Sequence, residues 1–149
     1  NVQGDEPLIP PIVIDQVAAN LAANSLAGVA TLCEPIATIV DFNNPNVVKV
    51  VANRAGLASY FSRAPIPWPR NETPINALLA RRHIGIYAYR VGQLNAFVNW
   101  PVAPTKTAES LEQLRFLWNN VAIHVADAIA EVPCGVDTED DLKAVSLLF

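Results

Sequence analysis

Two short acidic loops carry the residues best suited to chemistry. At one end, Asn1-Val2-Gln3-Gly4-Asp5-Glu6-Pro7 reads as the close of a buried strand running into a loop, with Asp5 just after the strand and a glycine. In open α/β sheets ligands sit beyond the carboxyl ends of strands, and a carboxylate there can hold a hard cation such as Mg²⁺. The same residues are common turn formers, so the motif alone leaves both readings open. Near the other end, Gly135-Val136-Asp137-Thr138 places Asp137 on a tight loop before a helix. Glu139, Asp140 and Asp141 are explained by the preference of helix N-termini for negative charge. Asp137 lies outside that helix and is free to act as a ligand. Two carboxylates so far apart in sequence meet only through the fold.

The cationic and polar candidates lie between. Arg63 ends an apolar strand beside prolines, where a guanidinium can fork onto a carboxylate or phosphate or simply be solvated. His83 follows Arg81 and Arg82, and three adjacent cations point to an anionic ligand. With an ordinary imidazole, His83 would be partly charged near neutral pH. Glu112 and Gln113 are ordinary helix residues by themselves. Trp68, Trp100 and Trp118 read as packing residues.

The elements that must position these groups alternate between strand and helix. Apolar spacing at Val13, Val17 and Leu21 predicts a helix from Pro11 to about Asn24. Strands are predicted at 29–33, 47–51, 57–62, 83–89 and 123–126, with 47–62 a hairpin around Asn53-Arg54-Ala55-Gly56. A short helix is expected near 93–98. Ser110-x-x-Gln113 reads as a capping box opening a helix through Trp118, and Thr138-x-x-Asp141 as a second. The pattern fits a three-layer α/β fold with a mixed sheet.

At 149 residues the chain has the length of about one domain. A net charge of −4 gives no footprint for nucleic acid. No apolar run reaches the roughly 18 residues needed to span a membrane. The 52% hydrophobic content implies a further buried interface. Cys33 and Cys134, without metal-type neighbours, read as reduced thiols of a cytoplasmic protein. With no Met and a strand at its very start, the chain is expected to be the C-terminal part of a larger α/β enzyme.

Taken in order, several segments resemble one family, 3-deoxy-manno-octulosonate (KDO) cytidylyltransferase, the CMP-KDO synthetases. They are residues 1–7, Asn46–Val51, Tyr60–Trp68, Arg82–Arg90, Val98–Pro101, Glu109–Arg115 and Gly135–Thr138. The resemblance implies a nucleotide-diphospho-sugar transferase-like (Rossmann-like) fold, with residues 1–149 forming one partial domain. It implies transfer of CMP from CTP to KDO for lipopolysaccharide synthesis, with pyrophosphate released. It implies Mg²⁺ on Asp5 and Asp137, and a sugar-acid pocket of Gln3, Arg63, His83, Tyr87, Glu112 and Gln113. In that pocket Arg63 and His83 would meet the carboxylate, while the other four read hydroxyls. It further implies a homodimer formed about residues 47–100; the charge and the apolar runs already point to no nucleic-acid and no membrane partner. The family's N-terminal third, with its triphosphate loop, has no counterpart here, so the chain alone is expected to be inactive. Pro69 replaces a usual Asp, the 71–80 segment is short, and Pro104-Thr105-Lys106-Thr107 departs from the usual pattern. The rival readings are a non-catalytic dimerisation or sugar-acid-binding remnant, and a sister enzyme for another acidic sugar.

Overall fold

The apolar run at Val29 becomes the centre of the sheet. In the computed structural model, which describes residues 1–2, 7–71, 79–133, 135–136 and 139–147, it forms strand β1 (Val29–Pro35), whose first five residues are all buried. A strand paired on both edges and covered on both faces must be apolar throughout rather than alternating, and Val-Ala-Thr-Leu-Cys nearly is. Its neighbours are β4 (Arg81–Tyr89), antiparallel, and β5 (Ile123–Asp127), parallel. Beyond β4 lie β2 (Lys49–Ala52) and β3 (Ala58–Ser62), giving the order β3-β2-β4-β1-β5. The mixed sheet expected from the sequence is the one found.

Helix α1 (Pro11–Ala23) covers one face. Pro11 starts it where a missing N–H costs nothing, and Val13, Val17 and Leu21 bury against Ala30, Leu32, Ile84 and Ile86. The opposite face buries Val29, Val50, Phe61, Tyr87, Ile123 and Val125, with Leu114 and Phe116 of α5 (Leu114–Trp118). The helices α2 (Ile39–Asn43), α3 (Val91–Phe97), α4 (Pro104–Glu109) and α6 (Glu139–Ser146) complete the described elements.

The β2–β3 hairpin does not continue the sheet flatly. Only Lys49 and Val50 pair with β4, and the hairpin curls until its tip reaches β5. There Val125 N donates to Gly56 O at 2.7 Å, and Leu57 bridges His124. Where β2 departs, Asn1 takes its place and exchanges backbone hydrogen bonds with Tyr87. Asn1 and Val2 are exposed, so the buried strand expected at this end is not found among the described residues.

One local expectation is corrected, and one helix was not expected. Ser110 does not open a helix: it closes α4 in the left-handed conformation (φ 53°), and α5 starts only at Leu114, with no side-chain cap from Gln113. Pro104 at the first turn supplied the real start signal. Helix α2 was not anticipated, although Thr38-Ile39-Val40-Asp41 carries its cap. Thr38 Oγ1 accepts from Asp41 N at 3.0 Å and donates to Asp41 Oδ2 at 2.6 Å.

Gly56 has φ +71°, and a Cβ there would lie 3.3 Å from both His124 Nε2 and Val125 O. Gly56→Ala should destabilise the fold by about 1–2 kcal/mol, read as a lower urea midpoint with unchanged m-value. An unchanged midpoint would mean that the hairpin tip contributes nothing.

Candidate functional site

The site is built around an irregularity in β4. Its register with β1 runs Tyr87 opposite Thr31, then jumps to Ile84 opposite Leu32, leaving Gly85 and Ile86 in a bulge. Bulges re-aim side chains. This one leaves carbonyls to satisfy, and the fully buried Thr31 does so. Its Oγ1 lies 2.7 Å from Ile86 O, 3.1 Å from Ile84 O and 3.0 Å from His83 Nε2. His83 is further held by the edge of Phe61, with ring centroids 5.1 Å apart, and by Tyr87 at 5.3 Å.

In front of these rings opens a cavity of about 1160 Å³. Arg63, His83, Tyr87, Glu112 and Gln113 all line it. Residues up to 50 positions apart, drawn from β4, the end of β3 and the turn between α4 and α5, thus line one cavity.

A buried ammonium fixes Arg63. Lys49 is fully buried, and its Nζ donates to Asn44 O (2.8 Å), Val47 O and Arg63 O (2.7 Å). Burial pushes its pKa below the usual lysine range; the Glu109 carboxylate opposes that shift and Arg63 adds to it. Glu109 closes the other side, accepting from Ser62 Oγ at 2.6 Å and Arg63 N at 2.9 Å. The guanidinium is tethered through Nε to Glu109 O (2.8 Å) and through Nη1 to Pro45 O (2.9 Å). Among the described residues Nη2 makes no hydrogen bond, so a donor edge remains for a ligand.

The three adjacent cations do not act as one positive patch. Arg81 pairs with Asp127 at 2.9 Å and Arg82 with Glu34 at 2.7 Å. His83 is neutral, since burial, with Arg82 adding to it, pushes its pKa down to about 3. The expectation of a partly charged imidazole is therefore corrected. Arg82 Nη2 also donates to Val132 O at 3.0 Å, tying β4 to the segment leading to Gly135.

Tyr87 is buried, and burial, then Tyr89, raises its phenol well above the usual range. It offers a hydrogen bond, not a base. Gln113 is buried, and its amide makes no hydrogen bond among the described residues, which suits it to a ligand. Glu112 is committed to Lys106 (3.1 Å) and Arg115 (3.6 Å) at the rim. Trp68 and Trp118 are exposed, against expectation, while Trp100 packs edge-on to Phe116. Cys33 is a buried free thiol with its pKa pushed up to about 12 by burial and Asp127. Cys134 lies outside the described residues.

Gln3, Asp5 and Asp137 also lie outside the described residues. Asn1 and Gly135, from the same two segments, do line the cavity. Among the described residues no group of three or more His, Cys, Asp and Glu could hold a metal ion. None of their helices is long and apolar enough to cross a membrane. Thr31, Lys49 and Glu109 were missed by sequence reasoning. A Thr or Lys inside an apolar strand is the signal that could have found the first two.

An α/β sheet with a polar cavity at a bulged strand defines a class of ligand-binding fold rather than one chemistry. Residues 1–123 match the cytidylyltransferase family model, and the chain belongs to that family. It is 63% identical to the 3-deoxy-manno-octulosonate cytidylyltransferase of Cellvibrio japonicus, over 100% of this chain and 61% of that protein. It is 56% identical to the protein of the same name from Pseudomonas syringae pv. syringae, again over 100% of this chain and 61% of the relative. The chain thus spans about three-fifths of the length of these relatives. It is also similar to a solved CMP:2-keto-3-deoxy-manno-octonic acid synthetase complexed with CTP. That match has TM-score 0.88 and 38% identity, and covers 99% of this chain and 59% of the other.

Lys49→Met would take from Val47 O and Arg63 O the donor each has from the ammonium and leave Asn44 O with Val47 N alone. At roughly 1–3 kcal/mol for each unsatisfied group, a loss of about 2 kcal/mol or more is expected in chemical denaturation. A loss below about 1 kcal/mol, within the usual range for surface changes, would show that the ammonium does not hold these loops together.

Proposed function

We propose that the chain carries the sugar-acid pocket of a nucleotidyltransferase that transfers CMP from CTP to KDO, releasing pyrophosphate and supplying an activated sugar acid for lipopolysaccharide synthesis. The observation that carries this reading is the convergence of Arg63, His83, Tyr87 and Gln113 on one cavity. Family membership and the names of the relatives support it. A cytoplasmic location goes with the same reading.

In the proposed reaction the C2 hydroxyl oxygen of KDO attacks the α-phosphorus of CTP. A new P–O bond forms, the bond to pyrophosphate breaks, and the hydroxyl proton passes to water. Such a transfer needs positioning and charge stabilisation more than covalent chemistry. Arg63 supplies paired, charge-assisted hydrogen bonds to the sugar's carboxylate. Tyr87 and Gln113 can bind hydroxyls, with Gln3 and Glu112 proposed beside them. Two hard carboxylates, Asp5 and Asp137, suit Mg²⁺. Bound there, the ion would neutralise triphosphate charge and stabilise the leaving pyrophosphate.

A homodimer belongs to the same proposal. Val91, Leu94 and Val98 are exposed at 72%, 40% and 77% and recur at i, i+3 and i+7, which is one helical face. Light scattering should show a dimer, and Val98→Glu should shift it toward monomer. A monomeric wild-type protein at micromolar concentration would remove this part of the proposal.

Full-length protein given CTP, KDO and Mg²⁺ should release pyrophosphate, and should do so faster than with other acidic sugars. No release with any of them would favour the non-catalytic reading; faster release with another acidic sugar would favour a sister enzyme. Arg63→Ala should raise KM for KDO by about 10- to 100-fold, the equivalent of a lost charge-assisted pair, with KM for CTP little changed. A rise confined to CTP would place Arg63 at the nucleotide instead.

A further inference from the structure

We propose that Thr31 is a positioning residue that fixes the tautomer of His83, so that His83 meets the ligand as a hydrogen-bond acceptor for a hydroxyl rather than as a partner for the carboxylate. The proposal deepens the sugar-acid reading and rests on it for the ligand.

The argument is one of proton counting. A threonine hydroxyl has one proton and two lone pairs. Thr31 Oγ1 touches two carbonyl oxygens, Ile86 O at 2.7 Å and Ile84 O at 3.1 Å, and His83 Nε2 at 3.0 Å. Carbonyls only accept. Two oxygens 2.7 Å apart with no proton between them would repel, and Thr31 is fully buried. The hydroxyl proton must therefore point to Ile86 O, the nearer carbonyl of the bulge. The contact with Nε2 is favourable only if Nε2–H donates to Oγ1. A neutral imidazole has one N–H, so Nδ1 keeps the lone pair. Burial and Arg82 keep the ring neutral.

The opposite tautomer would take the hydroxyl proton for Nε2 and leave Thr31 Oγ1 and Ile86 O facing each other at 2.7 Å with no proton between them. Such a contact between two oxygen lone pairs is costly, so the strand irregularity itself selects the tautomer. Phe61 and Tyr87 both pack against the ring.

The consequence is a division of labour. A carboxylate facing Nδ1 would meet a lone pair, so Arg63 takes the carboxylate and His83 accepts an O–H. A site built to bond a hydroxyl rejects an analogue lacking it far more strongly than an apolar pocket rejects an added group.

The test uses full-length protein labelled with ¹⁵N, with long-range ¹H–¹⁵N spectra of the imidazoles near neutral pH. Signals of His83 are assigned by their loss in His83→Gln. The expected result is a protonated Nε2 and an unprotonated Nδ1 in wild type and in Thr31→Ser. In Thr31→Val the tautomers should mix, and KM for KDO should rise about 10-fold, as for one lost hydrogen bond, with KM for CTP unchanged and Thr31→Ser near wild type. A wild-type His83 protonated at Nδ1, or at both nitrogens, overturns the proposal without any variant, so a Thr31→Val that fails to fold does not shield it. A folded Thr31→Val with the wild-type tautomer and wild-type KM overturns it equally. If the tautomers behave as expected but no CMP transfer occurs, the proton lock stands and the enzymatic reading falls.

Discussion

The site depends on one buried charge. An ammonium taken out of water is tolerated only where its protons are fully bonded. Lys49 meets that demand with the carbonyls of Asn44, Val47 and Arg63, so the loop before β2 and the end of β3 must converge on it. Glu109 completes the arrangement by accepting from Ser62 and the Arg63 backbone. Arg63 is then anchored at its backbone and at two points on its guanidinium. Little side-chain entropy remains to be lost when a ligand binds, which is how preorganisation raises affinity.

The imidazole and phenols that line the cavity are neutral near neutral pH. His83 is neutral with a pKa of about 3, and the Tyr87 and Tyr89 phenols are raised by burial. The thiol of Cys33 is buried and raised, which makes it a packing residue and not a nucleophile. Such a cavity orients hydrogen bonds rather than exchanging protons. That suits a transfer in which positioning and electrostatics dominate. Tyr89, Phe97 and Phe116 add aromatic rings to the lining, with Arg115 stacked 3.9 Å above the Phe97 ring.

Local signals were legible where local physics decides. The 3.6-residue spacing of α1, the apolar run of β1 and the Asn/Gly hairpin turn all appear where periodicity and turn chemistry put them. Signals failed where a distant partner decides. Arg81 and Arg82 look like a cationic patch until Asp127 and Glu34, more than 40 positions away, are brought beside them. Ser110 has the type of an N-cap, but Pro104 upstream and Glu109's bonds to β3 make it a helix end. The pocket residues came from an ordered resemblance, since Tyr87 and Gln113 announce nothing by type. Their convergence on one cavity is a property of the bulged β4 and the α4–α5 turn, which no spacing rule reveals.

The account's central claim is that this cavity receives the sugar acid through a fixed Arg63 and a neutral His83. Titrating unlabelled KDO into full-length protein labelled with ¹⁵N, and mapping the shift changes, tests it most directly. The largest changes should fall on the Arg63 guanidinium, the His83 ring and the Gln113 side-chain amide, with His83 staying neutral throughout. Changes confined to the exposed face of α3, or to the surface around Ala128–Glu131, would contradict it.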